Sequence, residues 1–304
     1  MTYPRRDAFA SVRVDRAWPV KNLLDEKLKE KLNADSVLRN FWNLQFWHWV
    51  AAVVHILSGI AISIVFGLVD TTNTRGTFTS DVTTTMGANG TVTTLKKLDA
   101  DYDLFYVLIP MPFATGLFHI LQAVLLFMNC RWYKGDIEKG INIIRWIEYS
   151  ITASLMTFIL AQLCGITNVY LVWLIGVVCN IGLQWHGYYF EVLMDCATKD
   201  TKLTWIQKWS PMIGGSVIFL GQWSILGCYF ARTVIASEED VPLFVWFAFL
   251  GTFVTFVGFP FIQVFFANKF VIEDWYWYEF AFIQLSLASK LVLDWSLAGG
   301  ILNQ

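Results

Sequence analysis

The apolar run AFIQLSLASKLVLDWSLAGGIL, residues 281–302, contains two ionisable side chains, Lys290 and Asp294. Ser286 precedes the lysine by four residues and Asp294 follows it by four, so a helix puts all three on one stripe. The apolar segment starts near residue 275, and the helical rise then carries Lys290 roughly 22 Å along it. That depth is beyond easy snorkelling of an ammonium to water. A desolvated lysine amine is a good nucleophile toward a carbonyl carbon and forms an imine with an aldehyde. Such an imine stays cationic in an apolar interior only beside a carboxylate. Glu148, in RWIEYSITASLM, is the candidate for that counterion. The competing reading is a purely structural ion pair of Lys290 with Glu148 or Asp294. Buried pairs are a poor source of stability because desolvation offsets the attraction, so covalent chemistry at Lys290 is preferred.

The elements that must hold these groups follow from composition. The chain has 304 residues, of which 56% are hydrophobic and only 15% charged, too few charges to cover a soluble surface of this size. A helix needs about 20 apolar residues to cross a bilayer. Seven windows qualify, at 42–69, 104–128, 143–167, 169–194, 211–231, 242–267 and 275–302. The expected fold is an all-α membrane protein, a seven-transmembrane-helix bundle over residues 41–304 behind a leader of residues 1–40. Seventeen of the 22 Lys and Arg fall on the N-terminal side, while Arg75, Lys96, Lys97 and Arg232 fall on the other. That excess predicts a cytoplasmic N-terminus and an extracellular C-terminus.

Leu24, Leu28 and Leu32 recur at helical spacing in the leader, which predicts either an amphipathic helix on the cytoplasmic membrane face or a solvated charged segment. The first 20 residues lack the apolar core of a cleavable signal peptide. The loop 70–103 is rich in Thr and Val around Gly87, Asn89 and Gly90. It predicts two short strands, a β-hairpin in the first extracellular loop, and Asn89 opens a glycosylation sequon. The five cysteines are an odd number in or beside apolar segments, which reads as free thiols rather than a disulfide framework. The net charge of −2 gives no reason to expect a nucleic-acid partner; the expected partner is the lipid bilayer.

An ionisable side chain at the bilayer centre costs about 2.5–3.5 kcal/mol on insertion scales, so each one inside a span is a functional candidate. These are His48, His55, His119, Glu148, Glu191, Lys290 and Asp294, whereas Arg145, Asp195 and Glu279 read as interfacial. Fifteen Trp and 25 Phe can enclose an elongated apolar ligand, although packing and interfacial belts use the same residues. Seven helices, a lysine in the middle of the last and a carboxylate on the third point to a retinal protein.

The run WIEYSITASLM resembles the third-helix signature of the heliorhodopsins. NIGLQWHGYYFE is similar to the spacing of Asn, Gly and Glu on that family's fourth helix, met here by Asn180, Gly187 and Glu191. AVVHILSG puts His55 where the family has a first-helix histidine, LFHILQAV puts His119 where it has the second-helix partner, and SLASK matches its seventh-helix Ser286 and Lys290. The resemblance covers residues 38–302 and extends to the inverted orientation and the long stranded outer loop. It implies all-trans retinal bound covalently to Lys290 as a protonated Schiff base, with Glu148 as counterion and Ser286 and Tyr149 tuning it. It further implies that His55 and His119 receive or share the proton, that Trp223 forms a pocket wall, and that the protein is a homodimeric photosensor. Asp294 departs from the family pattern. Carboxylates on both sides of Lys290, with Glu191 as a gate or exit group, open an alternative: light-gated or light-driven proton or ion conductance through Glu148, Glu191 and Asp294.

No enzymatic activity is expected. A seven-helix zinc hydrolase needs three histidines on the metal, but His48, His55, His119 and His186 include no His-x-x-x-His pair and the last helix has none. A transporter would show internal repeats; here HILSGIAI and HILQAVLL echo each other but nothing longer repeats. Pro260 predicts a kink in the sixth span, which fits a ligand pocket and a receptor hinge equally.

Overall fold

A computed structural model describes residues 18–68, 75–86, 92–198, 203–237, 241–267 and 275–302. Asn89 and the first 17 residues of the leader lie outside this set. The chain divides into two compact units, one ending at Asn43 and the other starting at Leu44. Helix α1 is Trp18–Leu68, so the backbone is already helical well before the first apolar window. Strands β1 (Arg75–Met86) and β2 (Val92–Asp103) pair antiparallel from Arg75 opposite Asp103 to Met86 opposite Val92. The register slips around Val82, as at a β-bulge. Then follow α2 (Phe105–Leu108), α3 (Pro110–Phe127), α4 (Arg131–Ile137), α5 (Ile143–Leu163), α6 (Val169–Trp173), a π-helical turn (Leu174–Val178), α7 (Cys179–Thr198), α8 (Trp205–Ala236), α9 (Leu243–Ala267) and α10 (Trp275–Leu302).

Local chemistry explains where several helices stop and start. The third apolar window runs to residue 167, but α5 ends at Leu163. Gly165 adopts φ of 78°, and the Ile166 and Gly165 amides donate back to the Ala161 and Gln162 carbonyls. This is a Schellman closure, which needs a residue that tolerates the left-handed conformation. In the other direction, α8 begins six residues before its apolar window. Thr204 Oγ1 accepts from the Gln207 amide while the Gln207 side chain accepts from the Thr204 amide, a capping box that starts the helix in polar sequence.

Seven helical stretches are long and apolar enough to cross a bilayer: Ala34–Leu68, Tyr106–Phe127, Ile143–Leu163, Val169–Cys196, Trp205–Ala236, Leu243–Ala267 and Trp275–Gly300. The fourth joins α6, the π-turn and α7. The distribution of side chains suits hydrocarbon rather than water. On α1, Val53, Leu57, Ile60 and Ile64 are exposed, while His48, His55 and Ser58 are buried on the opposite face. In water that arrangement would be inverted. In lipid, apolar groups face outward and polar groups must find partners inside. The protein is a multi-pass integral membrane protein.

The apolar core draws on every span; Ile62, Met111, Met156, Ile175, Leu226, Ala248 and Leu293 all belong to it. Helix α10, which carries Lys290, lies close against α9. Gly251 and Gly258 stand seven residues apart on the α9 stripe that receives α10. A β-carbon at Gly251 would come 2.6 Å from Val292 Cγ1, and one at Gly258 would come 2.8 Å from Leu285. Small residues of this kind let membrane helices approach closely, which is where van der Waals packing holds them together. Gly258→Val is therefore expected to destabilise the bundle by about 1–3 kcal/mol, read as a lower thermal midpoint in detergent. A midpoint equal to the parent's would show that α9 and α10 do not need this contact.

Candidate functional site

Lys290 is buried at 2% exposure, and its ammonium has two oxygen partners. Nζ donates to Glu148 Oε1 at 2.9 Å and to Ser286 Oγ at 2.6 Å. Ser286 is one turn back on α10, so the helix itself delivers that partner, whereas Glu148 comes across from α5. The Tyr149 ring centroid lies 5.1 Å from Nζ, within cation–π range. The Tyr149 hydroxyl donates to the Phe282 carbonyl at 3.3 Å, which fixes the ring.

On one side of Lys290 is a cavity in which the centre of a water molecule has about 90 Å³ to occupy, several times the minimum for a single water. Tyr149 and Lys290 line it together with Trp146, Met156, Phe219, Phe256, Phe259 and Pro260. Gly187 also lines it, and a β-carbon there would come 2.5 Å from the Trp146 ring. Gln263 Nε2 donates to the Gly187 carbonyl at 2.9 Å. The glycine thus lets Trp146 lie flat against α7 as a cavity wall. An amine paired with a carboxylate at one end and aromatic walls beyond it fit an elongated apolar aldehyde held as an imine. Trp223 is not a lining residue. It stands one layer out, packed against Phe219 and Phe256 at centroid distances of 6.0 and 5.7 Å. Asn180 is also outside the cavity. Its Nδ2 donates to Thr157 Oγ1 and to the Ile175 and Gly176 carbonyls, and Gln222 Nε2 donates to Ile175 as well. These donors satisfy carbonyls that the π-turn leaves without regular helical partners.

Outside this cavity lie three histidines, two of them near Lys290. His48 and His119 meet through their Nδ1 atoms at 2.9 Å. His55 stacks on His119 with centroids 5.8 Å apart and planes 5° from parallel. All three are buried, and both His55 and His119 lie within electrostatic reach of Lys290. Among the described residues, no group of three His, Cys, Asp or Glu side chains is arranged to hold a metal ion. Asp294 lies one turn along α10 from Lys290, fully buried beside Ser58. Neither of its oxygens has a hydrogen-bond partner among the described residues.

Glu191 is not beside Lys290. It belongs to a buried cluster at the N-terminal end of α5 that composition alone places at an interface. Arg145 pairs with both Glu191 and Glu279, and all three are almost fully buried. Glu191 also accepts from Trp146 Nε1 at 2.8 Å, from the Tyr278 hydroxyl at 2.7 Å and from the Asn142 amide at 3.2 Å. Asn142 Nδ2 reaches Glu279 Oε2 and Gln122 Oε1, both at 2.9 Å. The guanidinium lies over Phe282, 3.9 Å from the ring centroid. Expecting Arg145 and Glu279 to snorkel is therefore wrong, because each finds its countercharge across the bundle and needs no water. Beyond this cluster, outside the spans, burial pushes the Tyr133 hydroxyl well above the ordinary phenol range, and Glu279 adds to the effect. Tyr133 accordingly stays a neutral donor to Gln122 Oε1.

The sequence pattern marks His48 only as an ionisable side chain inside a span, places Arg145 and Glu279 at an interface, and gives Asn142 no role. Spacing held a signal for two of them. Arg145 lies three residues before Glu148, and His48 lies seven before His55, so each shares a helix face with a residue already singled out.

The heliorhodopsin family model matches residues 44–302 of the chain. No curated protein matches it.

Replacing Arg145 by Gln would leave two buried carboxylates facing each other without a cation. Breaking such a cluster costs about 3–5 kcal/mol, so Arg145→Gln is expected to lower the thermal midpoint more than Gly258→Val does. An Arg145→Gln protein as stable as the parent would mean that the cluster is not an ion-paired unit.

Proposed function

The chain belongs to the heliorhodopsin family and so is a rhodopsin-like, retinal-binding photoreceptor, and we propose that Lys290 carries the chromophore with Glu148 as its counterion. The observation that supports this reading is the contact of Lys290 Nζ with Glu148 Oε1 and Ser286 Oγ at the end of an aromatic-walled cavity. All-trans retinal would condense with the Lys290 amine, releasing water, and supplies the light-driven isomerisation. The rest is work for the chain's own residues. Glu148 balances the positive charge at the Lys290 nitrogen, which apolar surroundings would otherwise disfavour. Ser286 holds that nitrogen on the α10 side and Tyr149 lies against it. His55 and His119 are the acceptors for a proton leaving it. Trp146, Phe219, Phe256 and Phe259 confine the polyene, while Gly187 sets the position of Trp146. Trp223 and Asn180 act indirectly, through the Phe219–Phe256 wall and the π-turn.

The N-terminus is assigned to the cytoplasm on the strength of seventeen Lys and Arg on that side. The working unit is a homodimer.

One observation favours a second reading, light-dependent proton or ion conductance. Asp294 is a buried carboxyl one turn beyond Lys290, with the Ser58 hydroxyl beside it and no well-formed hydrogen bond to either oxygen among the described residues, as expected of a group that exchanges protons or meets internal water. Glu191 suits such a path less well, since Arg145, Trp146, Tyr278 and Asn142 already occupy its oxygens. Whole-cell recording decides: a light-induced current that Asp294→Asn abolishes favours conduction, and no current at any voltage removes it.

Protein expressed with retinal is expected to show a visible absorption band that Lys290→Ala abolishes. Glu148→Gln leaves the cationic nitrogen without its partner, so its visible band is expected to weaken at neutral pH and return on acidification. A covalent pigment of unchanged colour in Lys290→Ala would overturn the assignment.

A further inference from the structure

His48 belongs to none of the roles above, yet it makes the one hydrogen bond that the described histidine cluster contains. Two neutral imidazoles can share an Nδ1–Nδ1 contact of 2.9 Å in only one manner. One ring is protonated on Nδ1 and donates, while the other is protonated on Nε2 and accepts through a bare Nδ1. The two tautomers are therefore complementary. The outward atoms, Nε2 of His48 and Nε2 of His119, are buried and have no hydrogen-bond partner among the described residues. One of them must be an N–H and the other a bare acceptor.

The pair also has a direction. His119 lies within electrostatic reach of Lys290, and His48 lies within reach of Arg145. His48 precedes His55 by seven residues, so it stands roughly 10 Å further along α1, toward the Arg145 end of the bundle. The charged and titratable groups bearing on His48 are thus His119 from α3 and Arg145 from α5. Arg145, itself paired with Glu191 and Glu279, repels a cation at His48, which favours return of a stored proton.

We propose that His48 and His119 form a single-shot proton store for the Lys290 site, with His48 as its far station; this rests on the function proposed above. In the receptive state His119 carries its proton on Nδ1 and His48 carries its own on Nε2. A proton leaving the Lys290 nitrogen adds to the bare Nε2 of His119. The Nδ1 proton of His119 then crosses the hydrogen bond to Nδ1 of His48. His119 ends neutral, protonated on Nε2, and His48 ends as the imidazolium, one positive charge in and one held. If His48 next sheds its Nε2 proton, both rings are left in the opposite tautomer. His119 Nε2 is then occupied and its Nδ1 already accepts from His48, so no second proton enters. The pair reloads only when the proton returns or both rings rotate. A route of this kind holds and returns one proton per flash and cannot carry a continuous current, which separates a sensor from a channel.

The test uses the full chain in lipid nanodiscs with ring-¹⁵N histidine, before and after addition of retinal. Magic-angle-spinning spectra in the dark are expected to show one Nδ1-protonated and one Nε2-protonated ring joined by a hydrogen bond, and His48→Asn is expected to remove the Nε2-protonated ring of the pair and the ring-to-ring hydrogen bond. Illumination is expected to move His119 from the Nδ1-protonated to the Nε2-protonated form and to make His48 doubly protonated. In flash spectroscopy His48→Asn is expected to change the rate at which the proton returns to the chromophore by about a hundredfold or more, the scale of a lost acid–base partner. Two rings in the same tautomer, or tautomers that light leaves in place while the chromophore exchanges its proton, overturn the proposal. Should His48→Asn fail to fold, the dark and illuminated spectra of the unsubstituted protein still decide. A parent protein without a visible band would sink the function reading instead, and the dark tautomer measurement would judge the pair by itself.

Discussion

The structure depends on one charge that must be kept in hydrocarbon. An ammonium at Lys290 is buried within the bundle, and its partners are a carboxylate from α5 and a hydroxyl one turn back on α10. Because the lysine is deep, the partners must be brought to it. That requirement sets the close approach of α10 to its neighbours, the glycines on α9 that permit it, and the orientation of α5. The cavity beside Lys290 is apolar and the groups opposite are histidines, so the nitrogen sits on the boundary between a dry wall and a polar one.

Two kinds of buried polar group flank that boundary. At the Arg145 end every carboxylate is engaged: Glu191 and Glu279 are bound by guanidinium, indole, phenol and amide donors. A network in which each carboxylate is engaged by several donors rigidifies the helices it joins. From His48 to Asp294 the picture is reversed. Outer ring nitrogens of the three histidines, Ser58 Oγ and both Asp294 oxygens have no partner among the described residues. Sites of this kind hold internal water or a group in transit. The clamp at one end and the open polar face beside Lys290 divide the bundle into a part that holds and a part that exchanges.

Much of this was legible beforehand. The apolar windows lie within a few residues of the helices except at α1, which starts well before its window, and where capping moved an end, at Thr204 and at Gly165. Window averages do not register the geometry of a single residue, so those ends were invisible. The π-turn before Asn180 was equally hidden, because its Ile175 carbonyl is capped by Asn180 and Gln222 from different spans. The resemblance implies Trp223 as a pocket wall, and only packing shows Phe219 and Phe256 standing in front of it.

By itself the sequence determined the number of spans and singled out Lys290, Glu148 and Ser286, since the cost of a charge in lipid makes each such residue conspicuous wherever it sits. It also put Ser286 beside Lys290, because four residues are one helical turn. Which acid meets the lysine, which acids are claimed by Arg145, and which histidines touch are matters between helices far apart in the chain. Only the tertiary structure decided those, because hydrophobic periodicity says which face of a helix turns inward but not which face it meets.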